Sequence, residues 1–581
     1  MSGVLSRLAG RLRTGDLVTG ISRLLALACL VGLVGMLPWL SGKDPALTIL
    51  RATSSDREPT PEILNSIRKS IGIDGGPLHV IGHWLAGAAR GDLGRSWVSG
   101  TDVGPDAVDA FGVSLSLMAA ALGVGVIVAA ALVLPALRDG LRGRPRPRGG
   151  AASAVLISLP EYLLAPILML VLAVYLRILP PFGWGGPEKV IMPALSLGLP
   201  TGGYLGGLVS DAVTATFSER WVATWSTAGI RGRALAGAVL RRALAPLTGQ
   251  VALVVVALTG GAVAVEKIFA IPGLGRELLD AASAQDVPAL QAQILLLLAL
   301  ALTTGVIAGA VRRLLMGRAA GAGGLTAPPP VEHPGRAARV IAVSGAALLA
   351  LMVAVGIRRD PYAVVADKLA QPSAALPLGA DSLGRDVLAR VAHGAVSTVS
   401  GAVIVTVVCF VIALLVGLAP RAATGFIEVA NAAPPILAGL IVAGVSGPSA
   451  TGAAIAVAGV GWAPLASHAA GLVAENRQRP DVLLAPVLGE GRVRITLTRV
   501  LPAVVGPLAR HAALRLPGKA LALAALGFLG LGAQSPAPEW GLVLSDALPY
   551  IERAPWAVAT PAAALVILSI TSVAASRSMR R

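Results

Sequence analysis

The sequence predicts an all-α, polytopic membrane protein with about 12 transmembrane helices in two related six-helix halves. Three observations predict it. The mean hydropathy is +0.76, and 55% of residues are hydrophobic against 14% charged. Many apolar runs are near 20 residues long, enough for a helix rising about 1.5 Å per residue to cross a bilayer core of about 30 Å. The same order of motifs also recurs on either side of one Gly/Ala/Pro-rich stretch. The apolar runs are continuous rather than alternating, which argues against a β-barrel.

In chain order the predicted spans fall near 21–40, 112–135, 152–177, 190–210, 248–268, 289–311, 339–357, 397–418, 425–444, 450–473, 504–531 and 556–576. Arg7, Arg11 and Arg13 precede the first run. That run is longer than the about 7–15 residues of a signal-peptide core, so a retained span is expected. The run at 504–531 is too long for one plain crossing, and Pro517-Gly518 is expected to break or kink it.

Lys/Arg counts orient the chain. With the N-terminus inside, inner segments hold 26 Lys/Arg and outer segments, with Arg177 at the edge of the third span counted among them, 16, of which 7 lie in the long loop 41–111. Long loops cross largely regardless of charge, so the comparison is 26 against 9, and both termini are expected in the cytoplasm. The domains read as a first half at 1–313 with an external loop at 41–111, a flexible cytoplasmic linker at 314–337, and a second half at 338–581.

The halves look like diverged copies. Each third span carries an early proline, in SLPEYLLAPIL at Pro160 and AAPPILAGL at Pro434. Each fourth span leads to an inner loop with glycine, arginine and then proline, AGIRGRALAGAVLRRALAP and LGEGRVRITLTRVLP. Each fifth leads to an outer GLG segment, PGLGRELLDAA and FLGLGAQSPAPEW. Two copies oriented alike imply a parallel pseudo-twofold axis along the membrane normal and a central pathway between the halves.

The inner loops, 211–247 and 474–503, suit a short helix–turn–helix on the membrane's inner face, with Gly229 and Gly489 at the turn because glycine tolerates positive φ. Composition alone weighs a socket for a cytoplasmic partner evenly against an ordinary positive-inside loop. On the outer side the tripeptide Leu-Gly-Arg occurs three times, with Gly94-Arg95, Gly275-Arg276 and Gly384-Arg385. Gly94 and Gly384 read as matching turns ahead of each second span. Gly275 pairs better with Gly532, in the duplicated GLG segment. Arginine is unexpected on this side, so local pairing is predicted, Arg385 with Asp381 or Asp386. The main role expected of these segments is structural closure of the outer mouth.

Other chemistry is sparse. Cys29 and Cys409 lie in apolar spans and suggest neither a disulfide framework nor a thiolate metal site. His79 and His83 at i,i+4 make half a metal site at most, and no metal is expected. The net charge of +17 comes from Arg clusters between spans, which points to topology rather than nucleic acid. A P-loop needs GxxxxGK[ST], and Pro517-Gly518-Lys519-Ala520 lacks both the first glycine and the hydroxyl. No catalytic residue is identified, so any ATP hydrolysis comes from another chain. Acids within spans are costly and often functional. Glu161 either faces a translocation cavity or is solvated near the inner interface, and Glu428 starts the ninth span. The loop 41–111 holds nine acids against seven bases and reads as a small external subdomain.

The segments WVATWSTAGIRGRALAGAVLRRALAP and VEKIFAIPGLGRELLDAASAQDVPALQ resemble the first permease subunit of dipeptide/oligopeptide/nickel ABC importers. LGADSLGRDVLARVAHGAVSTVSG and LPGKALALAALGFLGLGAQSPAPEWGLVLSDALPYIERAPW resemble the second. The resemblance covers nearly the whole chain and implies two subunits fused in one polypeptide, with a type I ABC importer-like fold. It implies two cytoplasmic ABC ATPase domains that carry ATP and Mg, an extracytoplasmic substrate-binding protein, and residence in a bacterial cytoplasmic (inner) membrane. It makes the inner loops coupling loops that dock into the ATPases. Gly229 and Gly489 then stand at the family's glycine, and Arg231 and Arg492, just beyond, are expected to contact the ATPase. Neither loop has a clean Glu-Ala-Ala, Trp225 stands where a small residue is usual, and Pro486 either interrupts the second helix or starts it.

The function implied is a transport permease for peptides or a similar small solute, nickel or a metallophore included, and not an enzyme. The alternatives are a passive channel and a degenerate membrane anchor or sensor.

Overall fold

The computed structural model describes residues 21–37, 46–47, 49–50, 58–70, 76–145, 150–316 and 336–578. Arg7, Arg11, Arg13, Arg146, Arg148, most of the 314–337 linker and parts of the 41–111 loop lie outside them.

Each of the twelve predicted apolar stretches carries helix, and we number the span helices in that order. The first half holds α1 (Ile21–Gly35), α2 (Val103–Leu141), α3 (Glu161–Tyr175), α4 (Pro187–Phe217), α5 (Gly232–Phe269) and α6 (Val287–Met316). The second holds α7 (Ala338–Gly356), α8 (Val387–Gly417), α9 (Ala423–Asn431 with Pro435–Ser446), α10 (Ala450–Asn476), α11 (Arg492–Leu529) and α12 (Pro555–Ala575). Eight of these are long and apolar enough to cross a membrane singly, and α9 is a ninth if its two limbs, bent by 92°, are taken together. Among the described residues there are only isolated β-bridges and no strand.

The early prolines break both third spans. Pro160 caps the helix that begins at Glu161, and Pro434 separates the two limbs of α9. Proline lacks an N–H and disfavours helix in the residue before it. Pro517 behaves otherwise. The expected break there is absent, because α11 runs through both Pro507 and Pro517 to a left-handed cap at Gly530, φ +83°.

Contacts divide the chain into two compact units that interleave the sequence halves. One contains the described parts of 1–104, with 281–292 and 394–542, and so joins α1 to α8–α11. The other contains the described parts of 105–280, 293–393 and 543–581, and so joins α2–α5 and most of α6 to α7 and α12.

Small residues set the close packing. In the second unit Gly198, Gly202 and Gly206 form a stripe on α4 against Val124, Val128 and Leu132 of α2. A Cβ at these glycines would lie 2.6, 2.6 and 2.7 Å from those side chains. In lipid, where hydrophobicity does not drive helices together, such stripes allow the backbone approach that dispersion needs. In the first unit Gly425 faces the α1 backbone at Ser22, whose hydroxyl accepts from the Gly425 N–H at 3.0 Å. Nearby Arg23 donates from Nε and Nη2 to the Glu428 carboxylate at 2.7 and 2.8 Å.

Candidate functional site

The loops expected at 211–247 and 474–503 are shorter than the sequence suggested, because the helices reach into them. α4 runs to Phe217 and α5 starts at Gly232, while α10 runs to Asn476 and α11 starts at Arg492. What remains is a short helix and a glycine turn in each half. The first is Arg220–Thr227, followed by Gly229 at φ +86°. The second is Pro480–Leu484, followed by Gly489 at φ +81°. Both turns close alike, with a backbone bond spanning five residues: Ile230 N–H to Trp225 O at 3.0 Å, and Glu490 N–H to Ala485 O at 3.1 Å. This helix-ending pattern requires a left-handed residue, which is why glycine stands there.

The first loop is fixed from behind by a cluster of Val133, Val213, Phe217, Val222, Leu235 and Val239. Glu219 accepts from Trp221 Nε1 at 2.7 Å and pairs with Arg242 at 3.1 Å. Trp221 meets Trp225 edge to face, with ring centres 5.2 Å apart. Arg231 is exposed at the N-cap of the following helix. The second loop is pinned by Arg499, which donates from Nε to Glu490 at 3.0 Å and so holds that carboxyl below its usual range. Arg492 is exposed at the start of α11. Pro486 neither interrupts a helix nor starts one, since the helix stops at Leu484 and turns run through Gly489. The crest of this loop is aliphatic and open, with Val487 80% and Leu488 75% exposed.

Gly94 and Gly384 both take positive φ, +89° and +81°. Each follows an aspartate that caps the turn. Asp92 accepts from the Gly94 N–H at 2.9 Å, and Asp381 from the N–H groups of Leu383 and Arg385 at 2.8 and 2.9 Å. Arg95 pairs with Asp102 at 3.0 Å on the surface. Arg385 is buried and pairs with Asp381 at 2.7 Å, while Asp386 takes Arg359 at 2.7 Å.

The two GLG segments are not equivalent in backbone. The left-handed cap is Ala270, φ +53°, five residues before Gly275, but Gly530, two before Gly532. Gly275 and Gly532 are instead close-approach positions: a Cβ on Gly275 would lie 2.8 Å from Val263 Cα, and one on Gly532 3.0 Å from Gly527 Cα.

Two buried glutamates that sequence reasoning passed over organise these segments. Glu266, at the end of α5, accepts from Ser114 Oγ at 2.5 Å and from the Arg276 backbone N–H at 3.0 Å, and Ser114 Oγ accepts from Leu274 N–H at 2.8 Å. Arg276 thus acts here through its backbone. Glu539 accepts from Thr398 Oγ1 at 3.2 Å and from the Gly541 and Leu542 N–H groups, each at 3.0 Å. In each half a second-span hydroxyl and a buried carboxylate brace the segment after the fifth span. Burial pushes the Glu539 carboxyl up to about 7. Glu277, beside Gly275, is also raised to about 7, by burial first and then by Asp106, Asp280 and Asp109. An acid inside the apolar run VAVEKIF was the available signal for Glu266. Glu161 stands at the start of α3 with its carboxylate against Gly261 of α5. Among the described residues no group of three His, Cys, Asp or Glu is placed to hold a metal.

Comparison with known proteins places these features in a family. Residues 150–320 and 410–580 each match the family described as binding-protein-dependent transport system inner membrane component. The peptide transport system permease protein SapC of Escherichia coli O6:H1 is 36% identical over 202 residues, 33% of this chain and 67% of that protein. The di/tripeptide transport system permease protein DppC of Pseudomonas aeruginosa is 35% identical over 204 residues, 34% of this chain and 67% of that protein. The metal-staphylopine import system permease protein CntB of Staphylococcus aureus is 30% identical over 281 residues, 48% of this chain and 89% of that protein.

Proposed function

Because the chain belongs to the family of binding-protein-dependent transport system inner membrane components and matches it twice, we propose that one polypeptide supplies both permease halves of its importer. It is a multi-pass inner-membrane permease of an ABC importer, and it is not itself an enzyme. ATP hydrolysis belongs to separate subunits.

In our reading the solute is a short peptide or a similar small molecule, metal chelates included, delivered by an extracytoplasmic binding protein. Residues 1–313 and 338–581 act as the two halves, joined by the 314–337 linker, with both termini in the cytoplasm. The loops around Gly229 and Gly489 each dock one ATPase domain, and Arg231 and Arg492 flank those contacts. Closure of the ATPases on ATP would pull on the two loops and open the pathway outward, and hydrolysis would return it inward. The outer turns at Gly94, Arg95, Gly384 and Arg385, with the GLG segments at Gly275, Arg276 and Gly532, hold the outer mouth in shape. We place Glu161 near the pathway.

The observation that carries this reading is the pair of five-residue glycine turns, one within each of the two family-matching regions. They differ in surface chemistry but share one backbone form, as two sockets for related partners would. The test is purification of a tagged chain from its native membrane. ABC ATPases should co-purify, and ATP hydrolysis in proteoliposomes should rise when the binding protein is added. A chain that never associates with an ATPase would overturn the proposal.

A further inference from the structure

Arg390, in the first turn of α8, is 1% exposed. Among the described residues none of its three guanidinium nitrogens has a hydrogen-bond partner. Two carboxylates face it. Asp381 Oδ2 lies 3.5 Å from Nη1, and Asp546 Oδ2, on the helix Trp540–Ala547, lies 3.6 Å from Nη2. Both are ion-pair contacts, and neither closes a hydrogen bond. The neighbouring pairs are closed: Arg385 Nε meets Asp381 at 2.7 Å, and Arg359 Nη1 meets Asp386 at 2.7 Å. Buried donors are nearly always bonded, and a charged one left bare is the most costly kind.

A cavity of about 10 Å³ opens at this point. Asp381, Ser382, Arg390 and Asp546 give it polar walls, and the short side chains of Ala547 and Ala557 leave it room. That volume holds about one water molecule, which needs two to four polar partners. Charge narrows the occupant. Arg359, Arg385 and Arg390 balance Asp381, Asp386 and Asp546, so the surroundings favour neither an anion nor a cation. A guanidinium only donates and an ionised carboxylate only accepts. The occupant therefore has to be small and neutral, and able to do both.

We propose that this cavity is a built water site, in which one water accepts from the Arg390 guanidinium and donates to Asp546 and Asp381. A polar contact stretched past 3.5 Å is where a bridging water completes the bonding. The water joins two segments far apart in the chain: the turn at Asp381, with the first turn of α8, and the helix Trp540–Ala547. Such a joint gives way differently from a direct ion pair. Small shifts between the segments are taken up by the water, and no buried charge is left bare. The site is independent of which solute the chain carries.

The test is a cryo-EM map of the whole chain in lipid nanodiscs, at a resolution that shows ordered water, in two buffers. One contains chloride and the other gluconate in its place. Wild type should show one peak within about 3.2 Å of a guanidinium nitrogen of Arg390 and of an Asp546 carboxylate oxygen, equal in both buffers. Arg390→Met, neutral and of similar length, should lose the peak. A wild-type map in which the guanidinium bonds Asp381 and Asp546 directly, with no peak beside it, would overturn the inference. So would a peak that disappears with chloride, since the site would then hold an anion. The wild-type maps decide the matter even if Arg390→Met fails to fold, and neither outcome touches the transport reading.

Discussion

Asp381 holds Arg385 with both of its oxygens: Oδ2 accepts from Arg385 Nε at 2.7 Å, and Oδ1 from the Arg385 backbone N–H at 2.9 Å. Arg390, 1% exposed, has its Nη1 3.5 Å from the same Oδ2. Asp546 faces Arg390 from the other side, its Oδ2 3.6 Å from Nη2, so Arg390 lies between two carboxylates while Arg385 pairs with Asp381.

Removing it should be expensive. Asp381→Ala leaves the buried Arg385 without its ion-pair partner, and about 3–5 kcal/mol of stability should be lost. Asp102→Ala, which breaks the exposed pair with Arg95, should cost no more than about 1 kcal/mol. Thermal unfolding of the two purified variants in detergent checks the contrast, and equal losses would refute it.

The turn at Gly229 requires φ +86°. A β-branched residue is strained there by roughly 1–2 kcal/mol or more. A Cβ meets no atom within 4 Å, so the damage is confined to the turn. Gly229→Val should reduce uptake severalfold at unchanged abundance in the membrane. Normal uptake in this variant would argue against a coupling role.

The glycine stripe on α4 should tolerate no side chain at its centre. A Cβ on Gly202 would come within 2.7 Å of the Gly125 carbonyl oxygen as well as meeting Val128. Gly202→Val should therefore cost about 3 kcal/mol or more by overpacking. Gly123→Ala, on the facing helix with nothing within 4 Å, is the control and should leave folding unchanged. Yield of monodisperse protein after extraction reads both.

Glu539 should make stability depend on pH. Its carboxyl is raised from 4.5 to about 7 in the folded protein, so the folded state binds more protons than the unfolded one between those values. The associated stability is fully present below pH 4.5 and is lost as pH rises through 7, on the order of 3 kcal/mol at most. Glu277 adds a slope of the same sign. Melting temperature should fall between pH 5 and 8, and Glu539→Gln should flatten that fall. An unchanged slope would rule out Glu539 as its source.

Hydropathy alone located the twelve helical stretches, since burial in lipid imposes continuous apolar runs. Gly229 and Gly489 were legible because a left-handed turn leaves few residue choices. The ends of the inner loops were not, because α5 and α11 continue past the apolar runs on ordinary helix propensity. Pro517 does not end α11, because one lost backbone bond is tolerable inside a long helix packed along its length. Glu266 and Glu539 each read as one polar residue near an apolar run, and their importance depends on Ser114 and Thr398, which are more than a hundred residues away. The grouping of α1 with α8–α11 rests on contacts of the same long range.

That grouping sets a timetable for making the protein. Arg23 and Glu428 are 405 residues apart in the chain. At about 5–20 residues per second of synthesis, the first helix waits roughly 20–80 s in the bilayer before its partner emerges. Two separately made chains would have to find each other to end that wait. A single chain delivers the partner from the same ribosome, one copy for each waiting helix, so assembly needs no search and leaves no surplus half to be degraded.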